Sequence, residues 1–208
     1  MMTRCRCGKG GFTVRFERSE RDVLDSLLDL LRQACNDDWL GAPIAGPATP
    51  GAWSAEERLA VFLDQFGTPP PTRVEAPSEP GDPAVRRLFP DACPTDPAVS
   101  ADFRRLTLAD QRMAKLEAAD AVRSGLAGAS PRGEVRIAPA SLDDWLVTMT
   151  SLRLILATRL GIAEEADEDA YDDLAGDDPR AWTYSVYVWL AWLEEAVLDC
   201  LANLADWS

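Results

Sequence analysis

The sequence predicts a mainly α, single-domain helical bundle of about five helices with a minor two-stranded β element. Three observations carry this reading. Apolar residues recur at spacings of three and four along five stretches, which is the helical period. Period-two alternation is confined to two short segments, residues 12–16 and 134–138. The 208 residues, 47% hydrophobic, suit one domain whose core needs no covalent staples.

The elements follow in chain order. Residues 1–11, MMTRCRCGKGG, hold glycines and basic residues without an apolar run and read as a flexible tail, with the helical domain spanning 12–208. Phe12, Val14 and Phe16 alternate with Thr13, Arg15 and Glu17 as a half-buried strand. Ser19 with Asp22 has capping spacing, and Val23, Leu24, Leu27, Leu28, Leu31 and Ala34 then form an apolar stripe. A Pro/Gly loop at 41–53 leads to a short helix from Ser54 through Phe66. The loop 68–83 carries six prolines and reads as an extended surface linker. DPAVRRLFP (82–90) is a turn or two of helix, and a long helix from Pro97 to Leu126 follows, with a break expected near Thr107. EVRIA (134–138) is the second strand. Ser141 starts a strong helix whose stripe runs from Leu142 through Trp145, Met149, Leu152 and Leu156 to Leu160, and Gly161 stops it. An acidic loop covers 164–178. The last helix, about Trp182 to Leu204, is apolar around most of its circumference, which predicts a central position.

Composition excludes several classes of function. There is no histidine, so Ser-His-Asp catalysis, Cys-His catalysis and His-ligated zinc or haem are closed. With 35 acidic against 21 basic side chains the net charge is -14, a poor balance for wrapping DNA. No apolar run reaches the ~18 residues of a membrane helix, and the N-terminus lacks the apolar stretch of a secretory signal. We therefore expect a cytoplasmic protein with mostly reduced thiols, no metal and no cofactor. Lysine occurs only at positions 9 and 115, an arginine bias suggestive of a GC-rich bacterial genome.

Cys5 and Cys7 are the sharpest chemical feature. They lie among Arg4, Arg6 and Lys9, and cations favour the thiolate that peroxide attacks. A bridge across one intervening residue is strained, which suits a switch better than a staple. The alternatives are an incidental pair in a tail, or a zinc site, for which one close pair is too few. Cys93, in FPDACPTDP, is the other candidate as resolving thiol; Cys35 is ambiguous; Cys200, beside Leu201, reads as a core residue. Trp182, Tyr184, Tyr187, Trp189 and Trp192 lie in a segment, 181–208, without a basic residue, so packing or a protein interface is the better reading than base stacking. Trp189 and Trp192, with the basic pair Arg86 and Arg87, are the expected partner interface. The nine acidic residues of 164–178 read as a solvated connection, without the spacing of a calcium loop. Asp143/Asp144 and Glu194/Glu195 are adjacent pairs on helices and point apart, so neither is an acid/base dyad. We find no catalytic residues and expect no enzyme.

Four segments, in order and spacing, carry a family resemblance: FTVRFERSE before a Leu-rich helix, DPAVRRLFPDA, SLDDWLVTMTSLRLILATRLGI, and YSVYVWLAWLEEAVLDCL. Over about residues 12–204 they resemble the actinobacterial AosR-like family, long carried as a domain of unknown function and encoded beside the ClpS adaptor. The resemblance implies a transcriptional regulator of the oxidative-stress response. It also implies a redox-active disulfide and association with a stress sigma factor, DNA being reached through RNA polymerase. The family's cysteine pair is spaced more widely than Cys5 and Cys7, and the loops at 41–53 and 164–178 are longer here, so switch residues do not transfer one for one. The expectation is a redox-responsive regulator acting on a protein partner, with a homodimer as a further possibility. The alternative is an accessory of the ClpS/Clp quality-control system that needs no redox chemistry.

Overall fold

A computed structural model describes residues 3–8, 10–37, 82–171, 174 and 178–205. The helix expected at 54–66 and all of the Pro-rich loop before Asp82 lie outside the described residues. Five α-helices are described: α1 (Arg18–Cys35), α2 (Pro83–Leu88), α3 (Pro97–Ala127), α4 (Leu142–Leu160) and α5 (Pro179–Ala205). They accompany a small antiparallel sheet, β1 (Arg4–Gly8), β2 (Gly11–Arg15) and β3 (Glu134–Ile137), in that spatial order. The mainly α expectation holds. The sheet has three strands instead of two, because part of the expected tail, residues 4–8, forms its third strand.

Alternation explains the sheet. Phe12 and Val14 pair with Ile137 and Val135, and all four are buried. Their other partners are Cys7 and Cys5 on β1, which pack on the same core face. Arg4 and Arg6 therefore point the other way. Two glycines hold the sheet's turns. Gly11 has φ +111°, and a Cβ there would meet the Ile137 carbonyl oxygen at 2.2 Å. Gly133 has φ +80°, and a Cβ would lie 2.1 Å from the Phe16 oxygen, where the Phe16 N–H donates to the Gly133 carbonyl at 2.9 Å. Only glycine fits either place.

The helices begin where short acidic side chains take up orphan amides. Helix α1 starts before the expected Ser19: the Glu17 N–H donates to Glu20 Oε2 at 2.8 Å. Asp82 accepts from the Ala84 N–H at 2.9 Å and Asp96 from those of Ala98 and Val99, each at 3.1 Å. Ser141 makes no side-chain cap, so its expected role is not filled. Helix α3 runs unbroken through Thr107, whose hydroxyl donates to the Phe103 carbonyl. Gly161, at φ +78°, ends α4, and the Ile162 N–H closes back on the Ala157 carbonyl at 2.8 Å.

The central helix is α4, which packs against α1, α2, α3 and α5. Helix α5 lies at one side, against α4, β1 and β2. Its broad apolar circumference has another consequence: Val186, Leu190, Leu193, Val197 and Cys200 are buried, while Trp182, Val188, Trp192 and Leu198 remain 60%, 45%, 40% and 50% exposed. At the junction of sheet and helices Phe16 stacks on Trp145, with centroids 6.2 Å apart, and meets Trp189 edge-on at 6.1 Å. Within the acidic segment, Glu165–Tyr171 forms a 3-10 helix anchored by buried Tyr171. Asp167 there accepts from the Ala163 and Glu164 amides.

Candidate functional site

The sulfur chemistry lies on the seam between the first strand and the last helix. Cys7 is bonded to Cys200, with Cα atoms 5.3 Å apart and 193 positions between them in sequence. This corrects the close Cys5–Cys7 pair read from the sequence. In a strand, residues two apart share a face and lie ~6.7 Å apart along it, and that face puts Cys7 against α5. Cys200 continues the heptad from Leu193, so its reading as a buried position was sound, and it is fully buried. What the periodicity did not reveal is the strand laid against it.

Cys5, Cys35 and Cys93 carry free thiols. Burial pushes the Cys5 thiol up to about 11. The expected activation by cations is absent because alternation turns the neighbouring arginines to the opposite face. Cys35 is buried at the end of α1, and burial likewise raises it to about 11, against the pull of Lys115, Arg112 and Arg32. Cys93 is half-buried in the loop before α3, its Sγ 3.6 Å from Thr95 Oγ1. Its backbone is fixed by Ser100, whose hydroxyl donates to the Cys93 carbonyl at 2.7 Å.

A second tie joins the same two elements toward the other end of the seam. Buried Trp189 donates its indole N–H to Thr3 Oγ1 at 2.9 Å. Thr3, Ser185, Val188, Trp189 and Trp192 line a mostly apolar cleft at this end of the seam. Of the expected interface residues, Trp192 faces this cleft from the surface, whereas Trp189 is spent on the core and on Thr3. Arg86 is exposed on α2. Arg87 serves the fold: its guanidinium donates to the Ile162 carbonyl at 2.6 Å and the Ala163 carbonyl at 3.4 Å, beyond the end of α4. The structure thus separates the basic pair from the tryptophan pair by function as well as by element.

A third network joins α4 to α5. Arg153 donates to Glu194 Oε2 at 2.5 Å and to the Tyr187 hydroxyl at 3.4 Å, with its guanidinium 5.1 Å from that ring. Tyr187 in turn donates to Glu168 Oε1 at 2.9 Å, which fastens the acidic 3-10 turn to the helix pair. Burial and the Glu168 carboxylate hold the Tyr187 phenol above its ordinary value, against the pull of Arg153.

Fold and seam together describe a helical protein whose first strand is covalently tied to its last helix. Over residues 2–201 the chain matches the model of the family described as a domain of unknown function, DUF2017, and it belongs to that family. It is also 32% identical over 133 residues to a Mycobacterium leprae protein with the provisional name oxidative stress regulator AosR. That alignment covers 59% of this chain and 59% of the relative. No solved structure matches the chain. The family resemblance read from the sequence motifs is thus shown, and the relative's name supports a regulatory role.

Proposed function

We propose that this chain is a non-catalytic, redox-responsive regulator of the oxidative-stress response. In this reading the Cys7–Cys200 bond governs the surface offered to a protein partner. The observation that carries the reading is the position of the bond. It joins an edge strand to the last helix, the same two elements that carry, toward the other end of their contact, the apolar cleft where Val188 and Trp192 are exposed. A hydrogen peroxide molecule oxidises the two thiols: one attacks as thiolate to give a sulfenic acid and water, and the second displaces a further water to form the disulfide. Two electrons and two protons pass from the thiols to the peroxide. A thiol-disulfide reductant reverses the change and frees β1 from α5 at this point. The relative's name supports the stress response; the family resemblance supports a stress sigma factor as partner, with DNA reached through RNA polymerase.

The test is capture of the sigma factor on immobilised full-length protein, once after peroxide and once after reductant. The Cys7→Ser and Cys200→Ser variants are run beside it. Binding by wild type should differ between the two treatments, and both variants should behave as the reduced form under either. Identical binding by wild type and variants in both states would sink the proposal.

A further inference from the structure

We propose that the outer face of the sheet is a docking surface for an acidic, carboxylate-rich segment of a partner polypeptide. Register places four arginines there. Arg4 pairs with Arg15, and Arg15 with Glu134; Arg6 pairs with Thr13, and Thr13 with Arg136. Residues paired across strands, and residues two apart along one, share a face. Arg4, Arg6, Arg15 and Arg136 therefore form one cluster, and all four are exposed. Together with Thr13 and Glu134 they line a polar depression.

Several features make this more than a solvated face. Like charges directly opposite each other in a sheet cost stability, and Arg4 stands opposite Arg15. Among the described residues, Glu134 is the one acidic side chain within the patch. Among the described residues Arg4, Arg6 and Arg136 have no hydrogen-bond or ion-pair partner. Arg15 uses its Nε, donating to the Arg132 carbonyl at 3.0 Å. The guanidinium groups are thus free to grip an incoming anion as two-pronged donors.

Size and field select the occupant. With strands ~4.8 Å apart and same-face residues ~6.7 Å apart, the cluster spans roughly 10 Å by 7 Å. That accommodates a few carboxylates and falls short of the ~6–10 phosphate contacts of a duplex-binding face. Beyond it lies a protein of net charge -14, which repels a long polyanion but leaves a short acidic segment to the local field. This proposal is independent of the redox reading above.

The experiment is fluorescence anisotropy of a dye-labelled oligo-glutamate peptide titrated with the full-length protein at low and physiological salt. An oligo-lysine peptide and a short DNA duplex of equal length are run in parallel. Two variants, Arg4→Gln/Arg6→Gln on β1 and Arg136→Gln on β3, are checked for native helicity and unfolding midpoint. We expect the glutamate peptide to bind, salt to weaken it, and each folded variant to lose about tenfold in affinity. No binding, binding unchanged in both variants, or tighter arginine-dependent binding of the duplex would overturn the proposal. The Arg136→Gln variant leaves β1 intact and so decides the matter should the β1 variant fail to fold.

Discussion

Trp189 and Thr3 are joined by a 2.9 Å hydrogen bond across 186 positions of sequence, and the Cys7–Cys200 bond lies further along the same two elements. From Thr3 to Cys7 an extended chain covers ~13 Å, and from Trp189 to Cys200 a helix covers ~16 Å. Strand and helix therefore run in the same direction and are fastened near both ends of their contact. Reduction removes one fastening and leaves the other.

The bond closes a loop through nearly the whole chain, so it restricts the unfolded state more than the native one. The chain-entropy argument assigns such a loop about 5 kcal/mol. Cys200→Ala should lower the urea midpoint relative to oxidised wild type and make it insensitive to reductant. Equilibrium unfolding with and without reductant checks both halves of this expectation.

The two turn glycines should be intolerant of any side chain. Gly11→Ala and Gly133→Ala each combine a positive φ with a Cβ at 2.2 Å and 2.1 Å from a carbonyl oxygen. A loss of about 2–4 kcal/mol is expected for either, as strain adds to displaced backbone. Gly161→Ala has a positive φ but open space around its Cβ, and should cost only about 1 kcal/mol. Thermal melts of the three variants, compared side by side, measure the difference.

Arg153 and Glu194 lie between α4 and α5 with side chains 32% and 14% exposed. The Thr150 hydroxyl also donates to Glu194, so the pair belongs to a network. A double-mutant cycle of Arg153→Ala and Glu194→Ala should return a coupling of about 1–2 kcal/mol, above the usual value for a surface pair. A coupling near zero would show that the network is ornamental to stability.

Cys35 sets an alkaline limit. Its folded thiol is raised from 9.0 to about 11, so the native state holds the proton more tightly than the unfolded chain does. The stabilisation is complete below about pH 9 and is lost as pH rises through about 11. Cys35→Ala should flatten that part of the stability-versus-pH curve relative to wild type. The same burial predicts slow alkylation of Cys35 at neutral pH until the protein is unfolded, which timed mass spectrometry records.

The helices were legible because their apolar stripes are long: the spans from Pro97, Ser141 and Trp182 differ from the observed helices by a few residues at most. The strands at 12–16 and 134–138 were legible from Phe12, Val14, Val135 and Ile137. The first strand was not, since Arg4 to Gly8 contain no branched or aromatic residue and their pairing is decided by β2 and α5. The bridge was half legible. Cys7 stood out by its neighbours, whereas Cys200 looked like a small apolar residue in a helical stripe, and one-dimensional periodicity holds no information on what packs there. The expected activation of Cys5 failed for a related reason. Neighbours in sequence are not neighbours in space along a strand, so Arg4 and Arg6 contribute to a surface on the far side.

Joining position 7 to position 200 closes the intervening polypeptide into a covalent ring. A single cut anywhere between those positions leaves both pieces attached, and a tensile load applied outside them crosses the sulfur bridge and spares the chain from 7 to 200. Proteolysis and stretching would each find this chain one molecule when oxidised and a linear thread when reduced.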